Sequence, residues 1–228
     1  MATTPEQIQK AKVYFEQMLK WVQLYCDIVP CYPALELNYK KKEEYNHLIG
    51  TASIDTILIA SQPDTILYSD DALLRMIAKQ LYQSKSVWTQ LLLTDLYSEG
   101  IILKEQIEEF TLQLISSHYF HTSINANILL KAAEISGWEN KRPFTEVLNT
   151  LKEGYSDVQS SVRVALDFTV LLWKKQISPE SRKRLLIALL DAIIEKRDKT
   201  NVLIIFYQLI TITSQLTNVE KNEILDII

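Results

Sequence analysis

The sequence predicts a mainly α protein with a small α/β part. Three observations carry that expectation. Gly and Pro are scarce, at 4 and 6 of 228 residues, whereas all-β folds use both freely in their turns. Hydrophobic residues make up 47% and charged residues 23%, the balance of a chain with a real core. Most windows show apolar residues at helical spacing, and only two short windows read as strand.

The first helix opens after Thr3-Thr4-Pro5-Glu6. Thr4 is a cap, Pro5 suits the first helical position and Glu6 complements the helix dipole. Ile8, Ala11, Phe15, Met18, Leu19 and Val22 follow at helical spacing. Tyr25-Cys26-Asp27-Ile28-Val29 reads as a short β stretch, stopped by Pro30 and Pro33. A charged helix over about 39–48 ends at Gly50, which suits a helix terminus needing positive φ. A further helix opens at Thr51 or Ser53 and carries Ile54, Ile57, Leu58 and Ala60. Thr65-Ile66-Leu67-Tyr68 reads as a short buried strand after the Pro63-Asp64 turn. A helix then sets Leu73, Leu74, Ile77, Ala78 and Leu81 on one face.

Beyond residue 85 every segment reads as helix. Short ones lie at about 88–97, 104–117, 125–135 and 143–151, followed by Gly100, Gly137 and Gly154 at three of the breaks. Longer amphipathic ones lie at about 156–175, 179–196, 199–215 and 218–228. Ser178-Pro179-Glu180 is a cap, a Pro and an acid in the order that starts a helix. The segment 199–215 is apolar nearly all round, which predicts a helix central in a bundle or buried at an interface.

The net charge of −4 gives no support for strong nonspecific nucleic-acid affinity. Two basic runs, Lys40 to Lys42 and Lys174, Lys175, Arg182, Lys183 and Arg184, read first as solvated helix faces. Tyr39 beside Lys40–Lys42 is the one place resembling an aromatic platform for single-stranded RNA. Trp88 and Trp173 lie in apolar stripes and read as core. Cys26 and Cys31 have no second cysteine pair to complete a zinc site and read as reduced, partly buried thiols. No apolar leader follows Met1 and no apolar run could span a bilayer, so the expected compartment is the cytoplasm, with no membrane partner. His47 stands alone; His118 and His121 lack the setting of a metal motif and read as structural or surface residues.

The chemistry-bearing segment is Ser69-Asp70-Asp71 at the carboxyl end of the 65–68 strand. Carboxylates there point to where ligands bind in open α/β sheets. They also flank a helix N-terminus, whose dipole favours their ionised form. One of the two can equally serve as the helix cap. Asp55 interrupts an otherwise apolar helix. If it faces Asp70 and Asp71, like charges would repel and call for a cation. Mg²⁺ or Mn²⁺, hard ions that take oxygen ligands, are the natural choice.

These residues resemble the second half of a PIN-like domain. The resemblance is carried by Leu48-Ile49-Gly50, by Ser53 to Ala60, and by Leu67-Tyr68-Ser69-Asp70-Asp71 with Leu74-Arg75. Trp88-Thr89-Gln90-Leu91-Leu92 fits a subtype that ends multidomain bacterial proteins, behind tetratricopeptide repeats and a transcript-cleavage-factor-like segment. The resemblance implies an incomplete PIN-like α/β/α layer over residues 1–139 and a helical bundle extension over 140–228. It implies a metal-dependent ribonuclease or a degenerate RNA-binding domain. Asp55 and Asp70 would be the catalytic acids, and Asp55, Asp70 and Asp71 the Mg²⁺ or Mn²⁺ ligands. PIN domains open with a strand bearing a first acid, and no such strand is legible before residue 25. That departure fits either a piece of a longer protein or a decayed member, and it takes a major ligand from two-metal chemistry. The other expectation is a non-catalytic helical scaffold whose C-terminal helices dock on a protein partner or on upstream domains.

Overall fold

A computed structural model of the chain describes residues 4–117, 119, 122–152 and 157–228. The histidine expectations at 118 and 121 and the helix end expected at Gly154 lie outside the described residues. The chain forms two compact units, Met1–Val87 and Trp88–Ile228. The helices between 88 and 139 pack with the helices that follow them, so structurally they belong to the second unit.

The first unit begins with α1 (Pro5–Tyr25). Gln7 N donates to Thr4 Oγ1 (3.3 Å) and Thr4 N donates to Gln7 Oε1 (2.9 Å), a reciprocal cap of two otherwise unpaired amides. No residue of α1 is buried. The strand expected at 25–29 is absent. Tyr25 closes α1, Cys26 is an extended cap, and no described segment pairs with the stretch before Pro30. Without a partner, β-forming residues remain irregular. Cys26 is exposed rather than partly buried; Cys31 is half-buried, and both are free thiols.

α2 (Pro33–Glu36) and α3 (Tyr39–Ile49) follow, the latter capped by Asn38 Oδ1 accepting from Lys40 N (2.9 Å). Gly50 ends α3 and starts α4 (Thr51–Ala60) at φ 83°, a backbone angle costly for a residue with a Cβ. α4 is the centre of the unit. Ile57 and Ala60 pack with Leu67 and Ala78, while Ile54 and Leu58 pack with Ala34.

The expected strand at 65–68 contracts to β1 (Leu67–Tyr68), with Leu67 buried and Tyr68 exposed. It leads through α5 (Ala72–Tyr82) to β2 (Ser86–Val87). The two strands pair in parallel, Leu67 opposite Ser86 and Tyr68 opposite Val87. Leu67 N donates to Lys85 O (2.9 Å) and Ser69 N to Val87 O (3.0 Å). This β–α–β turn is the whole of the sheet among the described residues. On α5 only Ala78 is fully buried; Leu74 and Ile77 are half-buried, and Leu73 and Leu81 face solvent.

The second unit is helical throughout its described residues: α6 (Thr89–Ser98), α7 (Lys104–Ser116), α8 (Ala126–Ile135), α9 (Phe144–Lys152), α10 (Val158–Trp173), α11 (Pro179–Ile194), α12 (Lys199–Ile212) and α13 (Asn218–Leu225). Polar caps start five of them, with Asn125, Asp157, Ser178, Asp198 and Thr217 each accepting an amide of the first turn. α10 lies at the centre, against α8, α11 and α12. It buries Val162, Ala165, Phe168 and Leu172, and Phe168 stacks on Phe144 with ring centroids 5.9 Å apart. Trp173 is buried as expected, and its Nε1 donates to Glu223 Oε2 (3.2 Å). α12 departs from the all-round burial expected of it. Val202, Phe206 and Ile210, four residues apart, form one buried stripe, while Ile204, Tyr207 and Ile212 are exposed. One helical stripe suffices to seat it on α10.

Arg197 ties this unit together. Its Nη1 donates to Leu151 O (3.0 Å) and Ile193 O (2.8 Å), and its Nη2 to Ser161 Oγ (3.3 Å), joining the ends of α9 and α11 to the start of α10. Burial pushes its pKa down, and the nearby Asp157 carboxylate acts in the opposite direction. Replacing Phe168 by Ala should lower the stability of the second unit by about 3–5 kcal/mol, read by urea unfolding. Arg197→Met should lower it by about 1.5–3 kcal/mol, because two helix-end carbonyls lose a charged donor.

Candidate functional site

The acids singled out from sequence all lie in the first unit. Ser69, Asp70 and Asp71 occupy the step from β1 to α5. The strand ends there because α5 begins at Ala72 with Asp71 as its cap. Asp71 Oδ1 accepts from Leu73 N (2.8 Å) and Leu74 N (3.1 Å), and Asp71 N donates to Ser69 Oγ (3.2 Å). Arg75, one turn into the helix, reaches back to donate from Nη1 to Ser69 O (2.8 Å). Asp70 also has an interaction partner. The segment is therefore a closed local network of cap, turn and back-reaching guanidinium.

Asp55 has a different setting. It sits in the middle of α4, half-buried, and its Oδ1 is shut off from solvent without a hydrogen-bond partner among the described residues. Its backbone carbonyl accepts a weak bond from Cys31 Sγ (3.5 Å). Asn46 Oδ1 and Ser84 Oγ are likewise buried and unpaired. Buried polar atoms usually find partners, so an unpaired carboxylate oxygen is the most unusual polar feature of this unit. Asp55, Asp70 and Asp71 do not come together as a metal-capable trio: among the described residues no group of three or more His, Cys, Asp or Glu side chains could hold an ion.

Tyr39, whose place beside Lys40–Lys42 resembles a stacking platform, is exposed, and its hydroxyl donates to Glu43 Oε1 (2.8 Å), a turn further along α3. Lys40 and Lys41 are exposed beside it. The second basic run is partly structural. Arg182 Nη2 donates to Lys175 O (2.8 Å) and its guanidinium lies over the Trp173 ring, while Lys175 pairs with Glu134 (3.5 Å) and lies over Trp138.

One feature of the second unit had no signal in the sequence. A groove of about 500 Å³ is lined by Trp88, Tyr97, Lys104, Glu108, Thr111 and Asn125, among others. Gln90 fixes one wall, donating to Ser123 O (2.9 Å) and accepting from Ser123 N (2.8 Å). Its lining comes from separate helices, so no local motif announces it.

Residues 1–80 match the family model of the PIN domain associated with the TPR-GreAB-C-PIN system. The match reaches upstream of Leu48, where the residues that carry the resemblance begin. It takes in α1 to α4, β1 and most of α5, all within the first unit. No curated protein and no solved structure matches the chain significantly. No described helix is long and apolar enough to cross a membrane.

Asp71→Ala should cost about 1 kcal/mol in thermal unfolding, the worth of a helix cap. Asp71→Asn should cost only a few tenths of that, since an amide oxygen caps as well as a carboxylate. A loss as large for Asn as for Ala would show that the negative charge, and not the cap, is what matters at this position.

Proposed function

We propose that this chain is a PIN-derived interaction module of a multidomain system, without a self-contained hydrolytic site, and that its helical second unit is the body on which protein partners or neighbouring domains dock. The observation that carries the reading is the donor set. A PIN-type centre needs several carboxylates on one or two hard cations, and here no three donors converge among the described residues. Asp71 is occupied as a helix cap and Asp70 is engaged. The residues present do not fit the metal cradle that the family implies, so no hydrolytic step is assigned to them. The family match supports the PIN ancestry of the first unit, and fold ancestry leaves activity open. We place the module in the cytoplasm, where free Cys26 and Cys31 would stay reduced.

A second reading rests on Asp55. Its buried, unpaired Oδ1 is what a carboxylate looks like when the group it serves is a cation. On this reading Asp55 and Asp70, with Asp71 nearby, bind Mg²⁺ or Mn²⁺ and act on RNA.

The two readings separate in one experiment. The chain and its Asp55→Asn and Asp70→Asn variants are incubated with single-stranded RNA, with and without Mn²⁺, and their melting temperatures are followed across the titration. A ligand selective for the folded state at about 100 times its Kd adds about 2.7 kcal/mol of stability. The interaction-module reading expects no metal-dependent cleavage and no selective rise in melting temperature. Cleavage by the wild type that both variants lose would replace it with the nuclease reading.

A further inference from the structure

α1 offers a surface whose pattern fits a second copy of itself. Its apolar residues Ile8, Ala11, Phe15, Met18, Val22 and Tyr25 are spaced alternately three and four apart, the a and d positions of a heptad repeat. Tyr14 and Trp21 fall at g positions and Leu19 at an e position, which widens the seam. None of these side chains is buried by the rest of the chain. The charged residues avoid the seam. Glu6, Lys10, Glu16 and Lys20 fall at b, c and f positions, and the one flanking charge, Lys12, is paired with Glu16 on its own helix (3.9 Å).

We infer that two copies of this chain associate through α1 as an antiparallel helix pair. Three features of α1 favour this occupant. The first is layer size. In an antiparallel pair a positions face d positions, so Ala11 meets Val22, Phe15 meets Met18 and Ile8 meets Tyr25, and neither the smallest nor the largest residue meets itself. A parallel pair would stack Ala11 on Ala11 and Phe15 on Phe15, leaving thin and thick layers side by side. The second is charge. Antiparallel flanks set Tyr14 beside Trp21 and Lys12 beside Leu19, with no like charges opposed, and the two helix dipoles run in opposite directions. The third is area. Ile8, Tyr14, Phe15, Met18, Leu19, Trp21, Val22 and Tyr25 are between 38% and 72% exposed. With aromatic side chains of roughly 150–250 Å² each, the face amounts to on the order of 800 Å² per copy, the share of one partner in a standard stable interface.

The test uses the full chain. Sedimentation equilibrium should give twice the 26.4 kDa chain mass at micromolar concentration. Phe15→Glu and, separately, Met18→Glu should weaken association by about 100-fold, since each sets an unpaired charge in the seam. Both positions are exposed in one copy, so circular dichroism should show the helix content of each variant unchanged. Lys20→Glu, on the outer face, should leave the mass doubled. Orientation is read by oxidation on a Cys26→Ser, Cys31→Ser background. Ala11→Cys mixed with Val22→Cys should give a disulfide-linked pair, and Ala11→Cys alone should not. A monomer at all concentrations, or a dimer indifferent to Phe15→Glu and Met18→Glu, would overturn the inference. Self-linking of Ala11→Cys would overturn the antiparallel arrangement.

Discussion

The carboxylate of Asp71, seated on the first amides of α5, is the constraint on which the candidate site depends. It fixes where β1 must stop and where α5 begins. With that step fixed, Arg75 comes within reach of Ser69 O. Leu67 then faces Ala78 and the inner face of α4, and the chain returns through α5 to pair β2 with β1 in parallel. A group used in this way contributes stability through two hydrogen bonds at a dipole end. The same geometry takes one of its oxygens away from ligand binding. Structure and chemistry compete for one side chain here, and the hydrogen bonds show it in its structural role.

Asp55 lies on the other side of that competition. Its Oδ1 has no hydrogen-bond partner among the described residues. A polar atom shut off from solvent without a partner lowers stability, and Asp55 Oδ1 is such an atom. The second unit is conventional by contrast. Its core runs through α10, five of its described helices start on polar caps, and Arg197 closes the carbonyl ends of α9 and α11.

Much of this was legible in the sequence. The starts of α1, α5, α8 and α11 follow from Thr4, Asp71, Asn125 and Ser178, because a cap and an apolar repeat are both local signals. The mainly α fold with a small α/β part was legible for the same reason. Three features were not. The stretch 25–29 has β-forming residues but no partner strand, and pairing is a non-local property. β2 is two residues long, too short for any period to register. The exposed side of α12 could not be told from its buried side, because both carry isoleucines and only packing distinguishes them. At the site, the positions of the acids were legible and their company was not. Sequence placed Asp70 and Asp71 at a strand end and Asp55 in the preceding helix, but whether these carboxylates converge is decided by how α4 packs against the β1–α5 step. The match over residues 1–80 also shows that family signal reached into α1, where residue-level motifs are weakest.

The proposal that these acids do not share a cation is tested most directly by calorimetric titration of Mn²⁺ into the chain. The account predicts no saturable site at sub-millimolar concentration, and the same featureless heat for wild type and Asp55→Asn. One or two equivalents bound by the wild type, and lost in Asp55→Asn, would contradict it and place the ion on the buried carboxylate.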